Sequence, residues 1–245
     1  MQAWAGLIFW GAATGNDRLR DLGIALYATE ADSVKTYWFN QYGDVFAPEF
    51  DRAVAGQVFG GKYSYNTWWT ENPREIQGIN LLPITTASTY LAHPVLIGRF
   101  MSGLQTMERQ YAASGSSDGT PADIWQDILY QYQALSDPEL ALKNYNVRGS
   151  VEDGDSRSHA WNWIHSLKHM GTPDFSIKAN TPMYSVFKKS DHQRTYVVCN
   201  PGEQPLPVTF SNGVTVTAAP KSLSHWQTGQ DGTLVQQVVS LQRQP

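Results

Sequence analysis

Residues 62 to 69 read Lys-Tyr-Ser-Tyr-Asn-Thr-Trp-Trp, four aromatic rings interleaved with an ammonium, an amide and two hydroxyls. Rings offer flat apolar faces and the polar groups offer hydrogen bonds. That combination suits a pyranose, whose C–H faces stack while its hydroxyls pair. Adjacent tryptophans also fill cores, so residue type alone leaves both readings open for Tyr65, Trp68 and Trp69. Carboxylates are the second ingredient. Glycoside hydrolysis uses two, held about 6.5–9.5 Å apart when the reaction inverts and about 5–5.5 Å apart when it retains configuration. Glu30, Glu71, Glu75, Asp153 and Asp155 are available, but no spacing marks an acid/base pair, and helix caps or surface charges are the plain alternative.

Two further patterns carry less. Gly115-Ser116-Ser117-Asp118-Gly119 matches G-x-S-x-G, a nucleophile elbow only when a strand precedes it and a helix follows. Here a helical pattern precedes it, so it reads as an ordinary polar loop. His165 and His169 stand four apart with His159 nearby. A zinc protease motif would place Glu directly after the first histidine, where this chain has Ser166, so these read as ordinary helix histidines.

The elements that position these groups change character along the chain. Apolar residues recur at helical spacing from Arg18 to Tyr42, from about Gln77, from Pro94 to Ala113, after Pro121, and from Ser156 to Met170. Gly15-Asn16-Asp17 reads as a stop and a new start, and Ser136-Asp137-Pro138-Glu139 as the cap of one more short helix. Residues 43 to 75 form a long loop holding the aromatic cluster, and loops of that length are usually functional. From residue 180 the period becomes two, with β-branched runs at Tyr184–Phe187, Arg194–Val198, Val208–Phe210 and Val214–Thr217. Asn212-Gly213 signals a two-residue hairpin. The expected layout is a helical array over 1–178, an antiparallel β-unit over 179–228 and a weakly structured tail over 229–245.

Composition narrows the function classes. The chain has 245 residues, 18 Lys+Arg against 22 Asp+Glu, a net charge of −4, 16% charged residues and nine Trp. Low charge with abundant aromatics argues against disorder. Without a block of Lys or Arg, no nucleic-acid or membrane-surface partner is indicated. One cysteine, Cys199, excludes an intrachain disulfide or a thiolate metal cage. The apolar first fifteen residues lack the basic region of a secretory signal and fall short of the roughly 20 needed to span a bilayer. They read as a helix buried among other helices. Its start at residue 1 without an N-cap suggests that the chain begins inside a longer fold.

Several segments together resemble glycoside hydrolase family 81, the endo-β-1,3-glucanases. They are residues 3–16 (Ala-Trp-Ala-Gly-Leu-Ile-Phe-Trp-Gly-Ala-Ala-Thr-Gly-Asn), Gly61 to Trp69, Gln77-Gly-Ile-Asn-Leu-Leu-Pro-Ile-Thr, Tyr132-Gln-Ala-Leu-Ser-Asp-Pro-Glu, Asp153-Gly-Asp-Ser-Arg-Ser-His and Thr195 to Gly202. The resemblance covers roughly residues 3 to 225. It implies a mainly α fold, a partial (α/α)6 toroid of helices followed by a small antiparallel β-unit. It also implies a secreted parent enzyme that cleaves internal β-1,3 linkages with inversion and without metal or organic cofactor. The family's base lies in a Glu-Ser-Ser-Ser-Glu stretch just ahead of the segment matching residues 1–15, and its acid lies further upstream. No catalytic residue is therefore assigned here, and the missing N-terminal part of the parent becomes an expected partner beside the glucan. The resemblance places Lys62, Tyr65, Trp68 and Glu75 near the cleft, with Asp155 and His159, as substrate-binding residues. Ser64 stands where the family carries Asp, and Gln77 where His is common. Two alternatives stay open: a non-catalytic β-glucan-binding module, and a toroid hydrolase of another polysaccharide using Glu75 with Asp155.

Overall fold

The computed structural model describes residues 1–57, 60–61, 64–229 and 232–240, the last four by backbone alone. Lys62 lies outside the described residues. The chain separates into two compact units, one of Met1 with Ala28–Leu167, the other of Gln2–Tyr27 with the chain from Lys168 on.

The N-terminal segment is a helical hairpin. Helix α1 spans Gln2–Thr14 and α2 spans Asp17–Ser33, continuing into a π-helical turn at Val34–Trp38. Gly15 takes a positive φ of 68° to end α1, and the Asn16 side chain accepts the Leu19 amide to open α2. The two helices approach so closely that a Cβ on Gly11 would sit 2.8 Å from Arg20 Cα, and one on Gly23 would sit 2.9 Å from Ile8 N. The expectation that residues 1–15 are buried all round is corrected. Only Ala5 and Gly11 of α1 are buried, and Phe9 and Trp10 are 51% and 65% exposed. The helix spends its small residues on the hairpin contact and leaves its large rings on the other side.

Helices α3 (Pro73–Gly78), α4 (Pro94–Ala113), α5 (Gln126–Ala134), α6 (Pro138–Asn144) and α7 (Arg157–Met170) follow, with 3-10 turns at Ile79–Leu81 and Thr86–Leu91. Pro at the first helical position opens α3, α4 and α6, and Asp137 caps α6 through the Leu140 amide at 2.9 Å as its motif implied. On α4, Leu96, Ile97, Phe100, Leu104 and Met107 form one buried stripe. Phe100 meets Tyr132 of α5 edge-on at 5.0 Å, and Phe39 lies 6.3 Å from Phe100. The helix expected after Pro121 begins only at Gln126. Trp125 sits in the left-handed region at φ 59°, and its buried ring lies where a Cβ on Gly78 would come within 2.5 Å. Seating that ring breaks the helix.

From Thr172 the chain is antiparallel β. A five-stranded sheet has the order β1 (Thr172–Pro173), β2 (Tyr184–Lys188), β3 (Arg194–Asn200), β6 (Ser222–Thr228), β7 (Leu234–Ser240), with a separate hairpin of β4 (Leu206–Thr209) and β5 (Thr215–Ala218). Val208, Phe210, Val216 and Ala218 from the hairpin segment share a core with Val186, Tyr196, Val198 and Trp226. The hairpin turn is three residues rather than the expected two. Phe210 N donates to Val214 O, and Ser211, Asn212 and Gly213 lie between, Gly213 at φ 88°. That is the three-residue loop closed by a left-handed glycine. Residues 229–245, expected to be a weakly structured tail, contribute β7, paired along its length with β6. Its backbone hydrogen bonds form without a strong side-chain pattern. Residues 241–245 lie outside the described residues.

The hairpin contact yields a prediction. Gly11→Ala forces a methyl against the Arg20 backbone and should destabilise by about 1–3 kcal/mol despite the better helix propensity of Ala. Urea unfolding with far-UV circular dichroism measures this, and an unchanged midpoint would contradict the close approach.

Candidate functional site

The tryptophan pair sits on a self-contained turn. Thr67 N donates to Thr70 O at 2.9 Å, while the Thr67 hydroxyl oxygen accepts the Thr70 and Trp69 amides at 3.1 and 3.3 Å. Thr67 and Thr70 are buried, so the turn is anchored by its ends and its tip projects. Trp68 is 86% and Trp69 59% exposed, which rejects the packing reading for both. Exposing two indoles in water is costly, at roughly 25 cal/mol per Å², and such exposure marks a contact surface. Asn72 then joins the turn to α3, its amide donating to Thr70 Oγ1 at 2.9 Å and its Oδ1 accepting the Arg74 amide at 3.0 Å.

Tyr65 behaves differently. Its ring meets Phe50 edge-on at 5.9 Å, Arg52 lies 5.6 Å over the ring, and its hydroxyl is removed from solvent. Burial raises the phenol well above its usual pKa, so it stays neutral. Tyr65 buttresses the loop from within.

The second assembly is built on α5, which buries polar side chains beside its apolar ones. Gln126, Asp127 and Gln131 are essentially fully buried, and they hold the segment that follows α6. Gln126 Nε2 donates to Asn146 O and Ser150 O at 2.9 and 3.1 Å, and Gln126 Oε1 accepts the Asn146 amide. Asp127 Oδ2 accepts the Glu152 amide at 3.0 Å. Gln131 Nε2 donates to Asp155 Oδ2 at 2.6 Å, and the other Asp155 oxygen accepts the Ser156 amide and His159 Nδ1, both at 2.7 Å. Gln131, Asp155 and His159 thus form one relay that fixes the imidazole, whose side chain remains 44% exposed. The Trp163 indole closes it from α7 by donating to Gln131 O.

This region is acidic. Burial raises Asp127 above the usual carboxylate range, with the Asp155 charge adding to it, though the Glu152 amide pulls the other way. Burial raises Glu152 as well, assisted by Asp127, Asp153 and Glu75. Glu75, half-buried on α3, therefore acts electrostatically on the same place. Of the residues predicted from sequence, Asp155 and His159 are in direct contact, Glu75 acts on their neighbour Glu152, Trp68 stands exposed on its turn and Tyr65 is turned inward. Sequence reasoning passed over Asp127, Gln131 and Glu152. Asp127 and Gln131 fall on the polar side of the pattern set by Trp125, Ile128, Leu129 and Tyr132, which residue type alone assigns to solvent and the structure buries. Of the remaining histidines of the sequence pattern, His165 packs on Trp161, their rings 4.0 Å apart, and His169 is exposed at the end of α7. Gly115 to Gly119 is a turn leaving α4, in which Ser117 Oγ accepts the Gly119 amide.

With that geometry in place, comparison with known proteins is specific. Residues 1–164 match the model of the glycosyl hydrolase family 81 C-terminal domain. A glucan endo-1,3-beta-D-glucosidase of Acetivibrio thermocellus is 44% identical over 91% of the chain, which covers 28% of that relative. One from Thermobifida fusca is 38% identical over 87% of the chain, covering 27% of its length. A solved structure, a mutant glycoside hydrolase family 81 protein from Clostridium thermocellum, superposes with a TM-score of 0.78 at 42% identity, over 92% of this chain and 30% of that one. The chain thus spans little more than a quarter of the length of these relatives.

The buried carboxyl generates a prediction with a definite sign. The Asp127 pKa is raised on folding, so between the ordinary value near 3.9 and the folded value the native chain holds a proton that the unfolded chain has lost. Stability therefore falls as pH rises through that window. Asp127→Asn cannot ionise and should remove this slope, so its stability relative to wild type should grow as pH is raised from about 4 to about 7. Asp127→Ala, which strips the Glu152 amide of its acceptor, should cost about 1–3 kcal/mol across the range. Urea titrations of the three proteins at several pH values measure both effects.

Proposed function

The chain belongs to glycosyl hydrolase family 81, and from that premise we propose that it forms the glucan-holding part of a secreted endo-β-1,3-glucanase. In this reading its helices, the last ending at Met170, are part of an (α/α)6 toroid. The β-unit from Thr172 to Ser240 is an appended module. The exposed rings of Phe9 and Trp10 are covered by the rest of the toroid. The reaction is a single inverting displacement, in which one carboxylic acid protonates the leaving oxygen while a carboxylate activates water on the opposite face of the sugar.

The observation that carries this reading is Trp68, 86% exposed on a turn hydrogen-bonded within itself. A platform of this kind stacks the apolar face of a glucose residue without having to rearrange. His159, steadied by Asp155 and Gln131, offers a placed hydrogen bond to a sugar hydroxyl, and Glu75 sets the local field. Lys62 would add a donor at the start of the loop. Asp155 is committed to three donors, which supports a positioning role for it in place of an acid or base paired with Glu75. In this proposal the acid and base come from outside these 245 residues, so the chain by itself binds glucan without cleaving it.

Affinity electrophoresis in gels containing soluble β-1,3-glucan tests the platform. Retardation should be present in wild type and weakened several-fold in Trp68→Ala, in keeping with about 1 kcal/mol for a stacked ring. Equal retardation of the two proteins would overturn the assignment. Incubation of the purified chain with laminarin should release no reducing sugar, and robust release would show that the acid and base lie within it.

A further inference from the structure

We infer that the cavity bounded by Asn72, Arg74, Glu108, Tyr111, Asp118 and Pro121 is a subsite for a single neutral sugar ring, adjoining the Trp68–Trp69 turn. The inference takes its ligand class from the proposed function and adds a second place of contact.

Size sets the first limit. The cavity holds about 210 Å³, below the roughly 300 Å³ at which pockets begin to engulf drug-sized ligands. That volume is on the scale of one sugar ring, and the cavity is open to solvent on one side, so the rest of a chain would lie outside it.

Electrostatics sets the second limit. Arg74 is matched by Glu108, Nη1 to Oε1 at 2.8 Å, and its Nε donates to Ile124 O at 2.6 Å. Asp118 Oδ1 accepts both the amide and the hydroxyl of Thr120, at 3.1 and 2.7 Å. Among the described residues that line the cavity, no cation is left over to recruit an anion. With Arg74 and Glu108 paired, the Asp118 carboxylate is the remaining charge in the described lining, so a negatively charged ligand is repelled. What remains is a wall of mixed donors and acceptors, with the Tyr111 ring and two prolines supplying apolar faces. A polyol can donate to the carboxylates and accept from the guanidinium and the hydroxyls at once.

The wall is also fixed to the tryptophan turn. Asn72 donates through its backbone to Thr70 and through Nδ2 to Thr120 Oγ1 at 3.1 Å. One asparagine thereby joins the platform to the loop of residues 116–120. At no more than about 3.6 Å per residue, the three steps from Trp69 to Asn72 keep their Cα atoms within about 11 Å.

Hydrogen-exchange mass spectrometry of the whole chain with glucose and with laminaribiose tests this, comparing wild type with Ala122→Trp, which fills the cavity from its exposed rim. Exchange in peptides covering 115–122 should slow at least twofold with either sugar in wild type and be unaffected in Ala122→Trp. Peptides covering 64–72 should respond to laminaribiose in both proteins. A response at 64–72 alone overturns the subsite and leaves the platform standing. A response at 115–122 alone supports the subsite and removes the platform. Silence in both segments overturns both. Slowing at 115–122 by calcium chloride but by neither sugar would make the cavity a cation site and would also overturn the inference.

Discussion

A buried helix face made of Gln126, Asp127 and Gln131 must find hydrogen-bond partners for the polar atoms it takes out of water, because each one left unpaired costs about 1–3 kcal/mol. Gln126, Asp127 Oδ2 and Gln131 Nε2 find them in the backbone of residues 146–152 and in Asp155, while Asp127 Oδ1 and Gln131 Oε1 are buried without a partner among the described residues. The segment after α6 is held in one conformation by helix α5, although it has little regular structure of its own. Removing one of these side chains does not merely lose a contact. It strands the backbone groups on the other side.

The same logic recurs at the tryptophan turn, where Thr67, Thr70 and Asn72 use side-chain oxygens to satisfy local amides. In both places polar side chains fix the groups presented to solvent, Trp68 on its turn and His159 in the first turn of α7. A ligand meeting such groups loses less to ordering than it would on a mobile loop. The acid-rich surroundings of Glu75, Glu152, Asp153 and Asp155 fit a neutral, hydroxyl-rich ligand better than an anionic one. This is consistent with membership of a family whose curated relatives carry the name of β-1,3-glucan hydrolases.

Much of the fold was legible in the residues. Asn16 and Asp137 marked helix starts, Pro94 opened α4, and the change from helical spacing to alternation near residue 180 located the sheet. What was not legible depended on tertiary contacts. Trp125 reads as one more apolar position of a helix, and only its seat beside Gly78 explains why the helix begins after it. Phe9 and Trp10 read as core, and the close contact of Gly11 with Arg20 decides instead which face of α1 is covered. At the candidate site, the exposure of Trp68 and the inward turn of Tyr65 could not be told apart by residue type, since both are aromatic and lie in one loop. Gln131 was overlooked because it lies on the polar side of the α5 pattern, and only the structure shows that side buried, with Asp155, 24 residues later, receiving its hydrogen bond.

The central claim is that the Trp68–Trp69 turn is a preformed platform for β-1,3-glucan, and a crystal structure of the chain with laminaritetraose tests it most directly. The account predicts a pyranose ring lying flat on the Trp68 indole, within about 4 Å, with the turn from Thr67 to Thr70 unchanged. Ordered sugar found only away from Trp68 and Trp69, or a turn that must refold to receive it, would contradict the account.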